Sequence, residues 1–405
     1  TALTTLYCYN NELTSLDVSA NTAITGLRCY GNQLTALDVS ANTALTTLYC
    51  YNNELTSLDV SANTAITGLR CYGNQLTALD VSANTALTEL RCETNQLTNL
   101  NLNNNTALTT LYCNNNQLTS LDVSNNTALT GLYCNNNQLT SLDVSSNTAL
   151  TTLWCLHNEL TSLDVSANTA LTGLRCETNQ LTSLDVSGAT ALISLVCAFN
   201  SLTSLDLSSN TALTSLWCYG NDPLASLDVS GATALTTLRG YTHSLTSLDV
   251  SNNTALQELN CRSGQLTSLD VSNNTALETF NCSNNELTYL NMKNGVTDEL
   301  TTFDATDNSL TCIEVNADDV AYATANWTSA DSEIDAGVTF SESCAVQGNP
   351  DYTYVPDNNF EQALIDLDYD DTLDDFVLTE NISGVTSLDV REKEISDLTG
   401  IEGFT

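Results

Sequence analysis

A cysteine recurs every 21 residues along most of this chain, and this spacing constrains the fold more than any other feature. The uninterrupted series comprises Cys8, Cys29, Cys50, Cys71, Cys92, Cys113, Cys134, Cys155, Cys176, Cys197 and Cys218. One extra residue in "NDPLAS" then shifts the phase, Gly240 takes the next position, and Cys261 and Cys282 resume the series. Residues 1–42 and 43–84 are identical. Only a fold whose units stack on one another tolerates such a duplication, so the sequence predicts a solenoid.

Each repeat follows the pattern LxxLxCxxNxLxxLDVSxNTx. The apolar positions of the first copy are Leu3, Leu6, Cys8, Leu13, Leu16 and Val18. The pair at 6 and 8 and the pair at 16 and 18 alternate with a period of two, which is typical of short strands. One unit cannot bury its own apolar face, whereas stacked units can. The pattern therefore predicts two parallel β-ladders, with neighbouring strands about 4.8 Å apart.

The 21-residue spacing, the cysteine in the second leucine position of the strand and the asparagine that follows it resemble the cysteine-ladder internalins of the internalin J type. They also resemble related bacterial surface repeat proteins. The resemblance covers about residues 1–315. It implies a leucine-rich repeat solenoid, a right-handed curved coil whose concave sheet is the "LxxLxC" strand. It also implies a role in surface attachment or ligand binding.

The ladder cysteines are predicted to point inward and to pack as small buried side chains. Metal binding and a disulfide zipper are the alternatives, but metal sites need paired spacings such as CxxC, which the sequence lacks. Of the 15 cysteines, 13 belong to the ladder, which leaves Cys312 and Cys344 on either side of a non-repeat segment. We therefore predict one disulfide between them that closes a C-terminal cap, and an oxidising, extracellular setting.

Asparagines form a second ladder, from Asn11 at 21-residue steps to Asn221, and are predicted to satisfy backbone groups of the turns. His243 and Gly264 replace the asparagine in two adjacent turns. Together with Gly240 and the "NDPL" insertion, they mark residues 219–264 as the irregular part of the coil. Drift within a repeat array accounts for this irregularity, and a local binding feature is the alternative.

The position between the strand leucine and the cysteine is predicted to face outward on the concave strand. Arginine and aromatic residues dominate this row, whose candidate ligand-binding members are Tyr7, Arg28, Tyr49, Arg70, Arg91, Tyr112, Tyr133, Trp154, Arg175, Trp217 and Arg239. Because Tyr, Trp and Arg dominate binding hot spots, the row predicts a face that binds an extracellular protein or a glycan. The alternative is that these side chains only shield one another by cation–π stacking.

The chain has 48 acidic and 9 basic residues, for a formal charge of −39, which argues against nucleic-acid binding through phosphate neutralisation. Part of this charge forms an outward ladder in the "LDVS" segments: Asp17, Asp38, Asp59, Asp80, Asp122, Asp143, Asp164, Asp185, Asp206, Asp228, Asp249 and Asp270. We interpret it as a solvated acidic face in a salty medium. A divalent-cation ladder is the alternative, although each turn offers one carboxylate where Ca²⁺ takes about six to eight oxygens.

The tail segment "YVPDNNFEQALIDLDYDD" predicts a helix, with Asp357 as N-cap and an apolar stripe at Phe360, Leu364, Ile365 and Leu367. This segment and the leucine pattern after it resemble the helical N-terminal cap and first turn of another bacterial leucine-rich array. The predicted organisation has an array of about 15 turns, a C-terminal cap, a linker, and the cap and first turn of a following array, at 1–309, 310–345, 346–352 and 353–405. Tandem arrays are therefore expected to continue past residue 405.

The tail also contains a dense acidic cluster that gives weak calcium candidates at Asp368, Asp370, Asp371 and Asp374. The cluster lacks the glycine and the terminal glutamate of a helix-loop-helix calcium loop, which favours a solvated acidic loop. Calcium is the one cofactor that the sequence leaves open.

Catalysis has little support, because the chain has only two histidines and no nucleophile elbow, phosphate loop or metal-binding spacing. No continuous apolar stretch is long enough to span a bilayer, and we interpret the start "TALTTLYC", inside a repeat, as that of a fragment or a mature chain. The sequence thus predicts a non-enzymatic binding or adhesion module that is secreted or on a bacterial cell surface. The alternative is a structural tandem unit of an extracellular fibre or surface layer, with further copies of itself as partners.

Overall fold

The computed structural model describes residues 2–344, 352–370, 373 and 376–404, and the chain divides into two compact units, Thr1–Gln265 and Leu266–Thr405. The described part of the first unit has fifteen strands of three residues each. They are β1 Thr5–Tyr7, β2 Gly26–Arg28, β3 Thr47–Tyr49, β4 Gly68–Arg70, β5 Glu89–Arg91, β6 Thr110–Tyr112, β7 Gly131–Tyr133, β8 Thr152–Trp154, β9 Gly173–Arg175, β10 Ser194–Val196, β11 Ser204–Asp206, β12 Ser215–Trp217, β13 Ser226–Asp228, β14 Thr237–Arg239 and β15 Glu258–Asn260.

Thirteen of the strands described in this unit, all except β11 and β13, form one parallel sheet with each strand beside its equivalent in the next turn. The pairing has no slip, so that Leu6 opposes Leu27 and Tyr7 opposes Arg28. From β2 onward the central leucine of each strand in this sheet is buried, and so is the cysteine that follows it, except after β14, where Gly240 takes the cysteine position. Cys8 is partly exposed. The predicted leucine-rich repeat solenoid with an inward cysteine ladder is confirmed. Burial of one leucine side chain stabilises the folded chain by about 1.5–3 kcal/mol, so these stacked rows are the main source of the solenoid's stability.

The first asparagine ladder satisfies backbone groups between turns, as predicted. Asn32 donates through its Nδ2 atom to the carbonyl oxygens of Cys8 and Cys29, at 3.1 and 3.0 Å. Its Oδ1 atom accepts a hydrogen bond from the N–H of Leu13 in the preceding turn, at 3.0 Å. Each amide thus links two turns, which fixes their register at the point where the chain leaves the sheet.

The second predicted ladder is that of the "LDVS" segments. In the described part of the first unit these segments pair as strands at only two places, where β11 pairs with β13 and where Asp164 forms a β-bridge with Asp185. In each of these two pairs, the later turn contains a glycine, Gly188 after Asp185 and Gly231 after β13. A Cβ atom on Gly188 would lie 2.1 Å from the carbonyl oxygen of Ser166, and one on Gly231 would lie 1.9 Å from the carbonyl oxygen of Ser208. Glycine therefore allows the backbones to approach closely enough for the "LDVS" segments to pair.

In most other turns of this unit, a further row of buried asparagines makes the link on that side. Asn42 donates through Nδ2 to the carbonyl oxygens of Val18 and Asn21 in the preceding turn, at 3.1 and 2.9 Å. The alanines Ala189 and Ala232 occupy this position in the two glycine-containing turns. Side-chain amides and direct strand pairing are therefore alternative ways to join the turns.

The described part of the second unit has eight further strands and five short helices. The strands are β16 Ser268–Asp270, β17 Thr279–Asn281, β18 Tyr289–Asn291, β19 Thr302–Asp304, β20 Cys312–Glu314, β21 Thr339–Ser341, β22 Tyr352–Tyr354 and β23 Phe376–Leu378. The helices are α1 Val320–Asn326, α2 Asn358–Ile365, α3 Thr379–Ile382 and the 3₁₀ turns Ala317–Asp319 and Ile401–Gly403. β17 pairs with β19, β16, β18, β20 and β21 form a parallel sheet, and β22 and β23 are antiparallel.

A disulfide joins Cys312 at the start of β20 to Cys344 after β21, with Cα atoms 5.7 Å apart, and confirms the predicted bridge. Between them, α1 is followed directly by the buried Trp327, whose ring centroid lies 4.1 Å from that of Phe303 and 5.7 Å from that of Phe340. This aromatic cluster covers the apolar interior that a last turn would otherwise expose to water.

In the tail, α2 begins directly after Asp357, whose Oδ1 atom accepts from the N–H groups of Asn359 and Phe360 and confirms the predicted N-cap. Its Oδ2 atom accepts from the hydroxyl and N–H of Ser396, and these bonds hold the pKa of the Asp357 carboxyl well below its usual range. Phe360 and Leu364 lie in the small core of the tail, whereas Leu367 is exposed because α2 ends at Ile365, before it. The predicted linker 346–352 lies outside the described residues except for Tyr352, and so do Asp371 and Asp374 of the calcium candidates.

Candidate ligand-binding face

The eleven predicted ligand-binding residues, here called the outward row, each end a strand of the sheet in the first unit. Parallel pairing without slip places each beside its equivalent in the adjacent turn, as Arg28 lies opposite both Tyr7 and Tyr49. A second line of outward residues, the post-cysteine row, begins Tyr9, Tyr30, Tyr51 and Tyr72. The structure therefore brings the predicted residues together on one face of the sheet.

In the first four turns, the side chains of each row are ordered by contacts with other members of the same row. The Arg28 guanidinium lies over the rings of Tyr7 and Tyr49, at 4.7 and 5.1 Å from their centroids. The Tyr30 and Tyr51 rings stack with centroids 4.1 Å apart and planes 9° apart. Such contacts contribute about 0.5–1.5 kcal/mol each, so the side chains in this part of the face hold one another in place.

The outward row places two arginines side by side at Arg70 and Arg91, which oppose each other in the sheet. The two positive charges repel each other, and two nearby glutamates offset this repulsion. Glu89 accepts from Nε of Arg70 at 2.9 Å, and Glu93 accepts from Nε of Arg91 at 3.0 Å. The Arg91 guanidinium also lies 4.6 Å from the centroid of the Tyr112 ring. Where the row departs from arginine–tyrosine alternation, carboxylates thus neutralise the extra charge.

Further along the row, each tryptophan carries an arginine on its face. Arg175 lies 5.4 Å from the Trp154 ring and forms an ion pair with Glu177, while Arg239 lies 4.7 Å from the Trp217 ring. The arginine side chains are still about a third exposed, at 39% for Arg175 and 37% for Arg239. Cations and aromatic surface are therefore exposed on this face while each group is held in place.

Sequence reasoning missed two exposed apolar residues on this face, Ile193 and Phe199, which flank β10. Both break the repeat pattern: Ile193 stands where neighbouring turns have threonine, and Phe199 stands where they have threonine or glycine. A position-by-position comparison of the turns could have identified them, because each is the only apolar residue at its position among the turns of the first unit.

The acidic ladder lies outside this face, in the "LDVS" segments. Asp17 is exposed and accepts from the N–H of Ser19 at 2.9 Å, and hydrogen bonding to Ser19 lowers the pKa of its carboxyl. The same bond recurs at Asp38, Asp59 and Asp80. Across the described residues, no three His, Cys, Asp or Glu side chains converge in a way that could hold a metal ion.

Burial also determines the chemistry of the ladder cysteines. It raises the pKa of the Cys29 and Cys134 thiols to about 12, and it holds the pKa of Cys113 well above the usual range. These groups are thiols at neutral pH, and a thiol is a poor nucleophile and a poor metal ligand. The interior ladder therefore has a packing role.

Stacked strands of the pattern "LxxLxC", joined by asparagine-lined turns, define a leucine-rich repeat protein, and residues 106–147 match the family model for leucine-rich repeats (2 copies). The functional domain of InlJ from Listeria monocytogenes, which includes a cysteine ladder, is 41% identical to this chain. The alignment covers 77% of this chain and 69% of that domain, with a TM-score of 0.71. The chain belongs to the cysteine-ladder internalins.

Two other solved structures are similar in fold alone. A leucine-rich repeat protein from Leptospira interrogans is 21% identical, with a TM-score of 0.64 over 78% of this chain and 85% of that chain. The internalin InlF from Listeria monocytogenes is 23% identical, with a TM-score of 0.51 over 76% and 82%. No curated protein sequence matches the chain. None of the helices that the structure describes combines the length and apolar character needed to cross a membrane.

Proposed function

We propose that this chain is a secreted or cell-surface binding module that captures an extracellular protein or glycan on the outward row. The observation that carries the proposal is segregation: six of the seven arginines, ten of the fifteen tyrosines and two of the three tryptophans lie in the outward and post-cysteine rows. Arginine and large aromatic residues dominate binding hot spots, and they are scarce elsewhere on this array. Membership in the cysteine-ladder internalins supports the same role.

The contacts within the face favour binding over simple shielding of the sheet. Stacked rings such as Tyr51 and Tyr72, with centroids 4.3 Å apart, have already lost their rotational freedom in the unbound protein. A partner that contacts them does not have to immobilise them again, which removes about 0.5–1.5 kcal/mol of ordering cost per side chain.

A structural tandem unit of a fibre or surface layer is the second candidate, and the identity of residues 1–42 and 43–84 favours it. Duplication that preserves every outward residue lengthens the array without adding a position of new chemistry. On this alternative, the face contacts neighbouring copies of the chain, and tandem length is the selected property.

The test compares wild-type protein with a triple variant, Arg70→Asn, Tyr112→Asn and Trp154→Asn, on glycan and extracellular-protein arrays. Asparagine occurs naturally in equivalent positions at Asn260 and Asn281, so this variant is expected to fold. The matched control is Asp59→Asn, Asp80→Asn and Asp122→Asn in the acidic ladder, where Asn101 occurs naturally and keeps the same turn hydrogen bond.

We expect a ligand that binds wild type and the acidic-ladder control but loses at least about tenfold in affinity for the triple variant. Equal binding by all three proteins would refute the proposed face. If no ligand binds on either array and electron micrographs show ordered end-to-end particles, the structural alternative would be established.

A further inference from the structure

One turn of the array is apolar at four of the outward positions around its strand, and Ser194, the first residue of β10, is the polar exception. This apolar stripe consists of Ile193, Val196, Ala198 and Phe199, which precede, end and follow β10. The same positions in the two adjacent turns hold Thr172, Arg175, Glu177 and Thr178 on one side and Thr214, Trp217, Tyr219 and Gly220 on the other. Val196 and Ala198 are buried between these larger neighbours, whereas Ile193 and Phe199 are exposed at the two ends.

Ile193 replaces a threonine that joins adjacent turns elsewhere in the array. Thr172 donates through its hydroxyl to the carbonyl of Thr151 at 3.0 Å, and Thr214 donates to the carbonyl of Ile193 at 3.1 Å. Ile193 has no hydroxyl and is 47% exposed. An exposed isoleucine that forgoes a hydrogen bond worth about 0.5–1.5 kcal/mol contributes less to stability than the residue it replaces.

Phe199 adopts a left-handed backbone conformation, with φ of 52°, at a position that holds His157 and Thr178 in the preceding turns and Gly220 in the following one. A bulky residue in this region is strained by about 1–3 kcal/mol. Its ring is 56% exposed and packs edge-to-face against Tyr219, with centroids 5.2 Å apart. The ring also fills the space beside Gly220, where a Cβ atom would lie 2.6 Å from Cδ1 of Phe199.

These two residues and Trp154, which is 37% exposed, are the large apolar side chains that stand well exposed among residues 22–265. Trp154 lies two turns from the stripe, about 10 Å away. Exposed apolar clusters that cost folding stability are the usual mark of a docking site. Three such residues within three turns of a regular array therefore point to a partner.

Two buried polar atoms beside the stripe lack hydrogen-bond partners among the described residues. They are Oε2 of Glu177, which neighbours Ala198, and Nε1 of Trp217, which lies opposite Val196 in the sheet. Glu177 is more than nine-tenths buried, and its other oxygen accepts from Arg175. Oε2 of Glu93, in an earlier turn, also lacks a partner among the described residues, but that turn has no apolar stripe beside it. A polypeptide supplies both a cationic donor for the carboxylate of Glu177 and a backbone carbonyl for the indole N–H of Trp217.

We propose that the apolar stripe, together with Trp154 and Glu177, docks an extended polypeptide segment whose apolar anchor side chain is flanked by lysine or arginine. This inference rests on the proposed function and names the partner of that face. Glycans need polar contacts that Ile193 and Phe199 cannot make, which favours a polypeptide. The chain charge of −39 opposes docking of a second copy and attracts a basic partner, and Arg175 and Arg239 on either side of the stripe are each neutralised by a glutamate.

The test uses a phage-displayed library of short random peptides, selected on the full chain and then measured as synthetic peptides by calorimetry. The key variant is Ile193→Thr with Phe199→Asn, which restores residues common at these positions. We expect enriched peptides to combine an apolar anchor with lysine or arginine and to bind the variant at least about tenfold more weakly. The same variant should unfold at an equal or higher temperature than wild type, which separates lost docking from lost folding.

Matched controls isolate each contribution. His157→Asn changes an exposed residue at the position equivalent to Phe199, two turns away, and should leave peptide affinity unchanged. Glu177→Gln should weaken basic peptides several-fold, whereas Glu159→Gln, at an exposed glutamate outside both rows, should not.

Enriched peptides that bind the Ile193→Thr, Phe199→Asn variant with wild-type affinity would overturn the stripe as the docking site. If those peptides are nevertheless lost by the Arg70, Tyr112 and Trp154 triple variant, the proposed face stands without the stripe. A library that yields no basic, apolar peptide, beside a positive glycan array, would overturn the polypeptide partner and leave the binding function intact.

Discussion

The Nδ1 atom of His243 accepts a hydrogen bond from the backbone N–H of Leu245, at 3.1 Å. In regular turns this N–H is bonded by the asparagine of the following turn, as the N–H of Leu202 is by Oδ1 of Asn221. The following turn here has Gly264, which has no side chain. His243 thus replaces a missing partner from within its own turn, and it can do so only while its imidazole is neutral.

We predict that His243 makes the array acid-sensitive. Burial lowers the pKa of its imidazole to about 4, whereas a histidine in the unfolded chain titrates near about 6.5. The contribution of His243 to stability is therefore complete above about pH 6.5 and is lost as the pH falls towards 4, by about 3 kcal/mol in total. Urea unfolding of wild type and of His243→Asn between pH 7.5 and 4.5 gives the free energy of unfolding of each protein at each pH. The contribution of His243 is the difference between these two pH profiles. Parallel profiles would contradict the prediction, and His157→Asn, at an exposed site, should match wild type.

We predict that Gly188→Ala destabilises the array and that Gly173→Ala does not. The new methyl at 188 would meet the Ser166 carbonyl oxygen at 2.1 Å, so the backbones must separate, at a cost of about 1–3 kcal/mol or more. No heavy atom lies within 4 Å of the equivalent position on Gly173, where loss of glycine flexibility should give up to about 1 kcal/mol of stabilisation. Thermal unfolding of the two variants should shift in opposite directions, and shifts of the same sign would refute this account.

Removal of the Cys312–Cys344 bridge should open the cap and leave the first unit folded. The bridge closes a segment with a sequence separation of 32, for which loop-closure entropy predicts about 3–4 kcal/mol. Hydrogen exchange of Cys312→Ser, Cys344→Ser should therefore rise in α1 and β21 but remain at wild-type levels in β2 to β8. A reducing agent should reproduce this pattern in wild type and have no effect on the variant; unchanged protection of β21 would contradict the prediction.

The ladder cysteines should resist alkylation in the folded protein. The twelve fully buried thiols are protonated and inaccessible, whereas Cys8 is partly exposed. Intact-mass measurement after iodoacetamide at neutral pH should show at most one adduct in native protein, located at Cys8, and thirteen after denaturation in urea. Rapid labelling at Cys113 or Cys134 under native conditions would show that the ladder opens.

The repeat pattern predicts the solenoid, the inward cysteines and the outward row because stacking imposes one environment on every equivalent position. Cys312 and Cys344 could be paired because they alone fall outside the ladder. The same averaging conceals departures in single turns. Ile193 and Phe199 look like drift until their exposure and the left-handed φ of Phe199 are known.

Contacts between turns are the other part that the sequence leaves open. Pairing of the "LDVS" segments depends on how closely Gly188 approaches Ser166, which periodicity does not encode. Likewise, the compensation of Gly264 by His243 involves a side chain and a backbone group whose relation appears only in three dimensions.

The alternation of tyrosine and arginine in the first four turns has a consequence for how such an array changes length. Insertion of another two-turn unit sets a new arginine between two tyrosines, as Arg28 lies between Tyr7 and Tyr49. Insertion of a single arginine-bearing turn instead sets two guanidinium groups side by side, as at Arg70 and Arg91, where Glu89 and Glu93 are needed to neutralise them. Recombination can therefore lengthen or shorten this gene freely in pairs of turns, and natural variants should differ by even numbers of repeats.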